Sequence, residues 1–396
     1  MAWLEKNGFS GFDPYDIKSH RMVLSLSEKS SHSKILVVIR ELAFEIFYSF
    51  PVCSRRLLHI KPEINAKAMG LFASAYLKLY QLYHREKYLA KAEECLEWLI
   101  QNKVETSDGI GWGYPFHWQS ARQIPAFTPN GIVSTAAGAA FWEFYRYTDD
   151  QKYLEYCKQI AGFLNALPVD TVKGNICFSY TPLYINHVHN LNLFVAEFLI
   201  KIGLETGNKE WIERGNRAVN YTILNQNADG SFDYNGPPEK PQKYIDHYHT
   251  GFVLRMLHST WKLTGRQDIF DALQKSYHHY RNHFFEKERI PKLMPHRKYR
   301  IDIHSSAESI NCLSELSTTF HDSMALAEKV LCWTIDNLQS KEGYFYYGIL
   351  RSRFTGLPFK SKIPYIRWGQ AWMLKSISNY LYFRDQFEFE RKKQDE

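Results

Sequence analysis

The chain has little cysteine and no cysteine pattern. Its six thiols, Cys53, Cys95, Cys157, Cys177, Cys312 and Cys332, form no CxxC pair and no metal-ligand spacing, which excludes zinc ribbons and dithiol redox centres. Most fall in helical patterns and read as buried free thiols in a reducing compartment. The sequence holds no HExxH, no phosphate loop and no GxSxG, so neither a metal, a nucleotide cofactor nor an elbow serine is expected. Long hydrophobic runs are missing too. Ile35-Leu36-Val37-Val38-Ile39 is cut short by Arg40, and no uncharged apolar stretch approaches the ~20 residues of a membrane span. Met1-Ala2-Trp3-Leu4-Glu5-Lys6 lacks the apolar run of a signal peptide, and the expectation is a soluble cytoplasmic protein. No basic block interleaves with aromatics, and the net charge of +7 is modest over 396 residues, so nucleic acid is not an expected partner.

What the chain does have is apolar and aromatic surface. It is 45% hydrophobic and 16% aromatic, with 26 Tyr, 26 Phe and 10 Trp, enough for a large core and for platforms under sugar rings. Residues 1–30 read as an irregular N-terminal segment, because Gly8, Gly11, Asp13-Pro14 and a Ser-rich run are loop chemistry. From residue 31 to 385 two kinds of helical pattern alternate. One is apolar nearly all round, and the other is amphipathic with Lys and Glu on one face. The pairs are Ile64–Tyr83 with Glu86–Asn102, Asn130–Tyr147 with Gln151–Ala166, and His189–Gly203 with Lys209–Asn227. Then come His247–Thr264 with Asp268–Phe284, and His304–Phe320 with Ser323–Leu338. A sixth apolar helix, Ile366–Phe383, is expected to pair with the N-terminal Ser33–Phe50 and close a ring. Residues 386–396 read as a charged tail.

The apolar helices begin at intervals of about 60 residues, and a repeat of this kind decides the fold. Between repeats lie Gly turns followed by alternating aromatics, as in Asp108-Gly109-Ile110-Gly111-Trp112 and Glu342-Gly343-Tyr344-Phe345-Tyr346, which read as short extended returns. The expected architecture is all-α, an (α/α)6 toroid forming one domain over 31–385. Its apolar helices make a parallel inner ring, and their N-terminal ends meet around one cavity.

Those ends carry more than capping requires, since a cap needs one residue. The fourth head, Tyr244-Ile245-Asp246-His247-Tyr248-His249-Thr250, is echoed by Arg300-Ile301-Asp302-Ile303-His304 and by Asn186-His187-Val188-His189-Asn190. Asp246 and Asp302 are candidate carboxylates on adjacent hairpins. Packed helices lie ~8–10 Å apart, close to the ~6.5–9.5 Å between carboxyls in inverting glycoside hydrolysis. His189, His249 and His304 are candidates for a different chemistry, acid–base work near neutral pH such as proton abstraction beside a carbonyl. Trp112, Tyr114, His117, Trp118, Asn130, Asn190, Arg367, Trp368 and Gln370 are candidate substrate contacts. The tryptophans offer stacking faces, and Arg367 suits a carboxylate or phosphate.

The six-hairpin repeat with aromatic Gly loops resembles the six-hairpin glycosidase superfamily. Arg367-Trp368-Gly369-Gln370-Ala371-Trp372 resembles, with one extra Trp, the Arg-Gly-Gln-Ala-Trp motif on a late inner helix of unsaturated glucuronyl hydrolases. Ile245-Asp246-His247 is similar to the Ile-Asp-Asn segment that carries their catalytic acid/base, which implies Asp246 as its counterpart. Those hydrolases use a further Asp on an earlier inner helix, where this chain has Asn130, or His189 and Asn190. Acylglucosamine 2-epimerases share the toroid and use paired histidines, which implies His249 and His304. Over its whole length the chain resembles a bacterial family associated with surface-polysaccharide biosynthesis clusters, through Gly11-Phe12-Asp13-Pro14-Tyr15-Asp16, Trp112-Gly113-Tyr114-Pro115-Phe116 and Ile301-Asp302-Ile303-His304. The implied function is a carbohydrate-active enzyme, foremost a glycoside hydrolase on a bacterial surface polysaccharide or its oligosaccharide precursor. The alternatives are a sugar epimerase, a polysaccharide lyase using paired histidines, or a non-catalytic glycan-binding protein.

Overall fold

A computed structural model describes residues 2–30, 33–119, 123–242, 244–353 and 355–395. Residues 1–30, expected to be irregular, carry two helices, α1 (Ala2–Asn7) and α2 (Arg21–Ser30). The helix expected over Ser33–Phe50 is present as α3 (Lys34–Ser49), and a short α4 (Pro51–Leu57) follows it. Ser33 caps α3 and Pro51 opens α4, both favoured helix-start residues.

Five helical hairpins follow: α5 (Ala66–Tyr83) with α6 (Glu86–Gln101), α7 (Gly131–Thr148) with α8 (Gln151–Asn165), α9 (His189–Thr206) with α10 (Lys209–Ile223), α11 (His247–Thr264) with α12 (Gln267–His283), and α13 (Ile303–Leu316) with α14 (Ser323–Leu338). A turn of π-helix, Ile366–Ala371, leads into α15 (Trp372–Asp395). The last helix thus runs on through most of the expected tail. The inner ring closes: α5, α7, α9, α11, α13 and α15 each pack on the next, and α15 packs back on α5.

Small residues set the ring's tightness. A Cβ on Gly70 of α5 would lie 2.5 Å from the Ala136 carbonyl of α7, so the two backbones meet there. Four inner helices end alike. His84, Asp149, Gly207 and Gly265 take the left-handed conformation and return their N–H to the carbonyl four residues back, satisfying end carbonyls. Some return segments pair as short antiparallel hairpins, Val104–Thr106 with Gly109–Gly111 and Val169–Val172 with Asn175–Phe178. Ile301–Asp302 joins Gly348–Arg351 and Pro358–Ser361 in a three-stranded sheet.

The sixth outer position departs from the expected pairing. Helix α3 packs with α2 and α4 rather than against α15. The chain before it is pinned over the helix heads, because Ser10–Gly11 pairs with Glu63–Ile64 and Asp13 binds Arg367. The six-residue α1 occupies the outer place instead, with Trp3 and Leu4 facing Leu79, Tyr88, Leu374 and Ile377 across a groove of about 390 Å³. Cys95, Cys157, Cys177 and Cys312 are buried free thiols, whereas Cys53 and Cys332 are exposed. No helix among the described residues is long and apolar enough to cross a membrane.

Candidate active site

Four of the six inner heads are capped by their own side chains. Asn65 accepts from the N–H of Lys67, Asn130 from Val133, Asp246 from His249, and Asp302 from His304 and Ser305. The heads converge on a pocket of about 130 Å³. Its walls are aromatic: Tyr15, Tyr114, Phe116, Trp118, Tyr180, Tyr234, Tyr248, Phe252 and Trp368. Its polar groups are Lys67, Asn190, His249, His304 and Arg367.

The two pocket histidines are held in parallel fashion. The Nδ1–H of His249 donates to Asp246 Oδ2 at 2.7 Å. The Nδ1–H of His304 donates to the Trp368 carbonyl at 3.3 Å. Among the described residues neither Nε2 has a protein partner. Both rings lie against Tyr248, with centroids 4.5 and 4.8 Å away. His304 also stacks on Trp368 at 4.3 Å. Their surroundings differ. His249 is held by the fully buried side chain of Asp246. Burial, reinforced by the Lys67 and Arg367 cations, pushes His304 well below the ordinary histidine range and keeps it neutral.

The carboxylates lie behind this wall rather than in it. Asp246 and Asp302 are wholly buried, and neither lines the pocket. Besides its cap, Asp302 accepts from Trp368 Nε1 at 3.3 Å and pairs with Arg300 Nε at 3.5 Å. Burial raises its pKa, although Arg300 opposes the shift.

Other candidates fall outside the pocket. Trp112 is a core residue whose Nε1–H donates to the Leu99 carbonyl, and α7 holds it there through Ser134 Oγ, which accepts its backbone N–H, and the stacked Phe141 ring. His117 is exposed, and its Nδ1 accepts from the Ala126 N–H. Asn130 is spent on its cap. His189 is buried against Thr222 and Tyr221, and burial holds it at about 4. Gln370 bonds both backbone groups of Phe345 and faces the outer groove, since the π-turn rotates it away from Arg367. Arg367 does reach the pocket. Its Nε and Nη2, however, are committed to Asp13 at 2.6 and 2.8 Å, so little of its fork is left for a substrate anion.

Tyr15, Lys67, Phe116, Ile132, Tyr180, Tyr234, Tyr248 and Phe252 line the pocket without having been site candidates from sequence, and Tyr15, Tyr234 and Lys67 bear most on its chemistry. Tyr15 arrives on the same short segment as Asp13, in Gly11-Phe12-Asp13-Pro14-Tyr15-Asp16. That compact motif was the available signal. Tyr234 enters from the return after α10. Lys67 sits in the least distinctive head. Its Nζ lies 5.2 Å from the Trp372 ring and 5.5 Å from Phe252. No carboxylate pairs with it among the described residues, and burial, then Arg367, lowers it to about 7. The buried Asn190 Oδ1 has no hydrogen-bond donor among the described residues, so it is open to a ligand hydroxyl. No cluster of metal-ligating side chains occurs among the described residues.

No protein-family model matches the chain. It is 27% identical over 115 residues to an unsaturated glucuronyl hydrolase of Formosa agariphila, and that match covers 28% of this chain and 26% of that protein. Solved structures match over far more of the length. A cellobiose 2-epimerase of Bacillus thermoamylovorans gives a TM-score of 0.62 at 12% identity, covering 81% of this chain and 88% of the other. A GH76 α-mannanase of Bacteroides thetaiotaomicron gives 0.61 at 12%, covering 81% and 88%. An unsaturated glucuronyl hydrolase specific for heparin gives 0.58 at 15%, covering 81% and 86%. The protein has the fold of these six-hairpin enzymes, an (α/α)6 toroid.

Proposed function

We propose that the protein is a carbohydrate-active enzyme that moves a proton on a sugar, with His249 and His304 as the acid–base pair. The observation that carries this reading is that both imidazoles reach one aromatic-walled pocket, each anchored through Nδ1. Nε2 is the nitrogen left for chemistry. His304, kept neutral by burial, can accept a proton at Nε2, and the donor role falls to His249, whose ring Asp246 orients. In an epimerisation the base takes the proton from the carbon beside an open-chain carbonyl, leaving an enolate. The acid returns a proton to the opposite face, so nothing is oxidised. Lys67 stabilises the enolate oxygen while it is charged. The aromatic walls take the sugar faces, and Asn190 accepts from a hydroxyl.

Incubation with reducing oligosaccharides in D2O, followed by NMR, tests it. Deuterium is expected beside the carbonyl, and His249→Gln and His304→Gln are each expected to slow its entry about 100- to 10,000-fold. Exchange at the wild-type rate in both variants would overturn the assignment.

Glycosidic hydrolysis is the second reading, supported by the sequence likeness to an unsaturated glucuronyl hydrolase. There Asp246 is the acid/base and Asp302 the second carboxylate. The substrate is a bacterial surface polysaccharide or its precursor. New reducing ends, lost in Asp246→Asn and Asp302→Asn, separate it from proton transfer.

A further inference from the structure

Helix α3 turns an apolar face away from the molecule. Ile35, Val38, Ile39, Leu42, Ile46 and Phe50 are all exposed, from 43% at Leu42 to 73% at Ile35. At about 100° per residue these positions form one stripe. Contiguous exposed apolar surface of this kind marks a docking site. Glu41, Glu45 and Tyr48 fall on a neighbouring face, where Glu45 and Tyr48 line a cleft of about 670 Å³.

That cleft is basic. Arg297, Lys298, Arg300, Arg351 and Arg353 line it against the single acid Glu45. Lys298 and Arg353 have carboxylate partners, whereas Arg297 and Arg351 have none among the described residues. The segment Arg21–Leu57 adds six basic residues against three acidic ones. The surface is therefore an apolar ridge flanked by positive charge, the pattern of a helix lying in a membrane interface. Two copies meeting through it would oppose like charges, so charge favours an anionic partner over a second copy.

We propose that α3 and its basic flank dock the protein on an anionic lipid bilayer. The cleft contains Arg300, which pairs with Asp302 at a helix head, so docking brings the pocket's end of the toroid toward the lipid surface. The protein lies on the membrane and does not span it.

Co-sedimentation with vesicles of phosphatidylglycerol and phosphatidylcholine, against phosphatidylcholine alone, tests this. Binding is expected to the anionic vesicles only and to weaken with added salt. The double variant Ile39→Glu/Leu42→Glu changes exposed positions, so its circular dichroism and Tm should match wild type while binding falls at least tenfold. Arg297→Glu/Arg351→Glu should also weaken binding. Equal or absent sedimentation with both vesicle types overturns the proposal. So does a solution dimer, seen by light scattering, that Ile39→Glu/Leu42→Glu splits into monomers.

Discussion

Asp246 serves two ends with one carboxylate. Oδ1 caps α11 through the His249 N–H at 2.9 Å, and Oδ2 holds the same residue's ring. Substitution can separate these roles. Asp246→Asn keeps an acceptor for the cap but replaces the carboxylate oxygen that orients the His249 ring. Its expected outcome is near-wild-type Tm with a large fall in kcat. Asp246→Ala loses the cap as well, about 1 kcal/mol of further destabilisation in a urea melt. Lys67 makes a pH prediction. With its pKa near 7, its cation is lost as pH rises through 7, and activity that uses the cation falls on that limb. Lys67→Met is expected to remove this limb from the kcat/KM profile, and Lys67→Arg to move it to higher pH. Acid stability rests on other histidines. His247 is saturated by the Lys292 carbonyl, Tyr280 and Ser309, and burial holds it at about 3 and His189 at about 4. Both folded values lie below the unfolded value of about 6.5, so the unfolded chain binds more protons between. Stability is therefore expected to be intact above pH 6.5 and to fall as pH drops toward 4, measured as Tm against pH.

The elements show what the sequence made legible. The five hairpins were readable because apolar periodicity, turn residues and repeat spacing all agree on them. Gly70 marks where the ring tolerates least. Gly70→Val is expected to cost about 1–3 kcal/mol by overpacking against Ala136, seen as a lower Tm. The sixth outer helix was misplaced for a physical reason. An apolar helix announces that it needs a partner, but its pattern does not name the surface, and α3 is tied elsewhere by its neighbours in the chain. The candidate site was legible to the level of helix heads. Its inward residues were legible only in part, because a cap residue and a pocket residue sit two or three positions apart on one head, as Asn65 and Lys67 or Asp246 and His249 do. His249 faces the pocket while His247, two residues earlier, is core. Lys67 was invisible for a related reason. Its chemistry comes from burial between Phe252 and Trp372, side chains supplied by α11 and α15.

At the scale of the molecule, the ring is closed by charge as well as by packing. Asp13 and Arg367 are 354 residues apart in sequence and form a buried two-pronged pair. Ile366 N–H also donates to the Phe12 carbonyl at 2.9 Å. The pair fastens the N-terminal segment onto the head of the last inner helix and so sets Tyr15 in the pocket wall. Burying both charges is costly, so the pair is poor evidence of net stability, but breaking it strands one charge. Asp13→Ala is therefore expected to destabilise the fold by about 3–5 kcal/mol. It should also release the segment before α5 to early proteolysis. Asp13→Ala/Arg367→Met removes both charges and is expected to recover much of that loss in a double-mutant cycle. Recovered stability without recovered activity would mark the pair as a positioning device, because Tyr15 would lack the anchor that holds it against the substrate. If the double variant is as unstable as Asp13→Ala alone, the clasp acts through packing at the helix head rather than through charge.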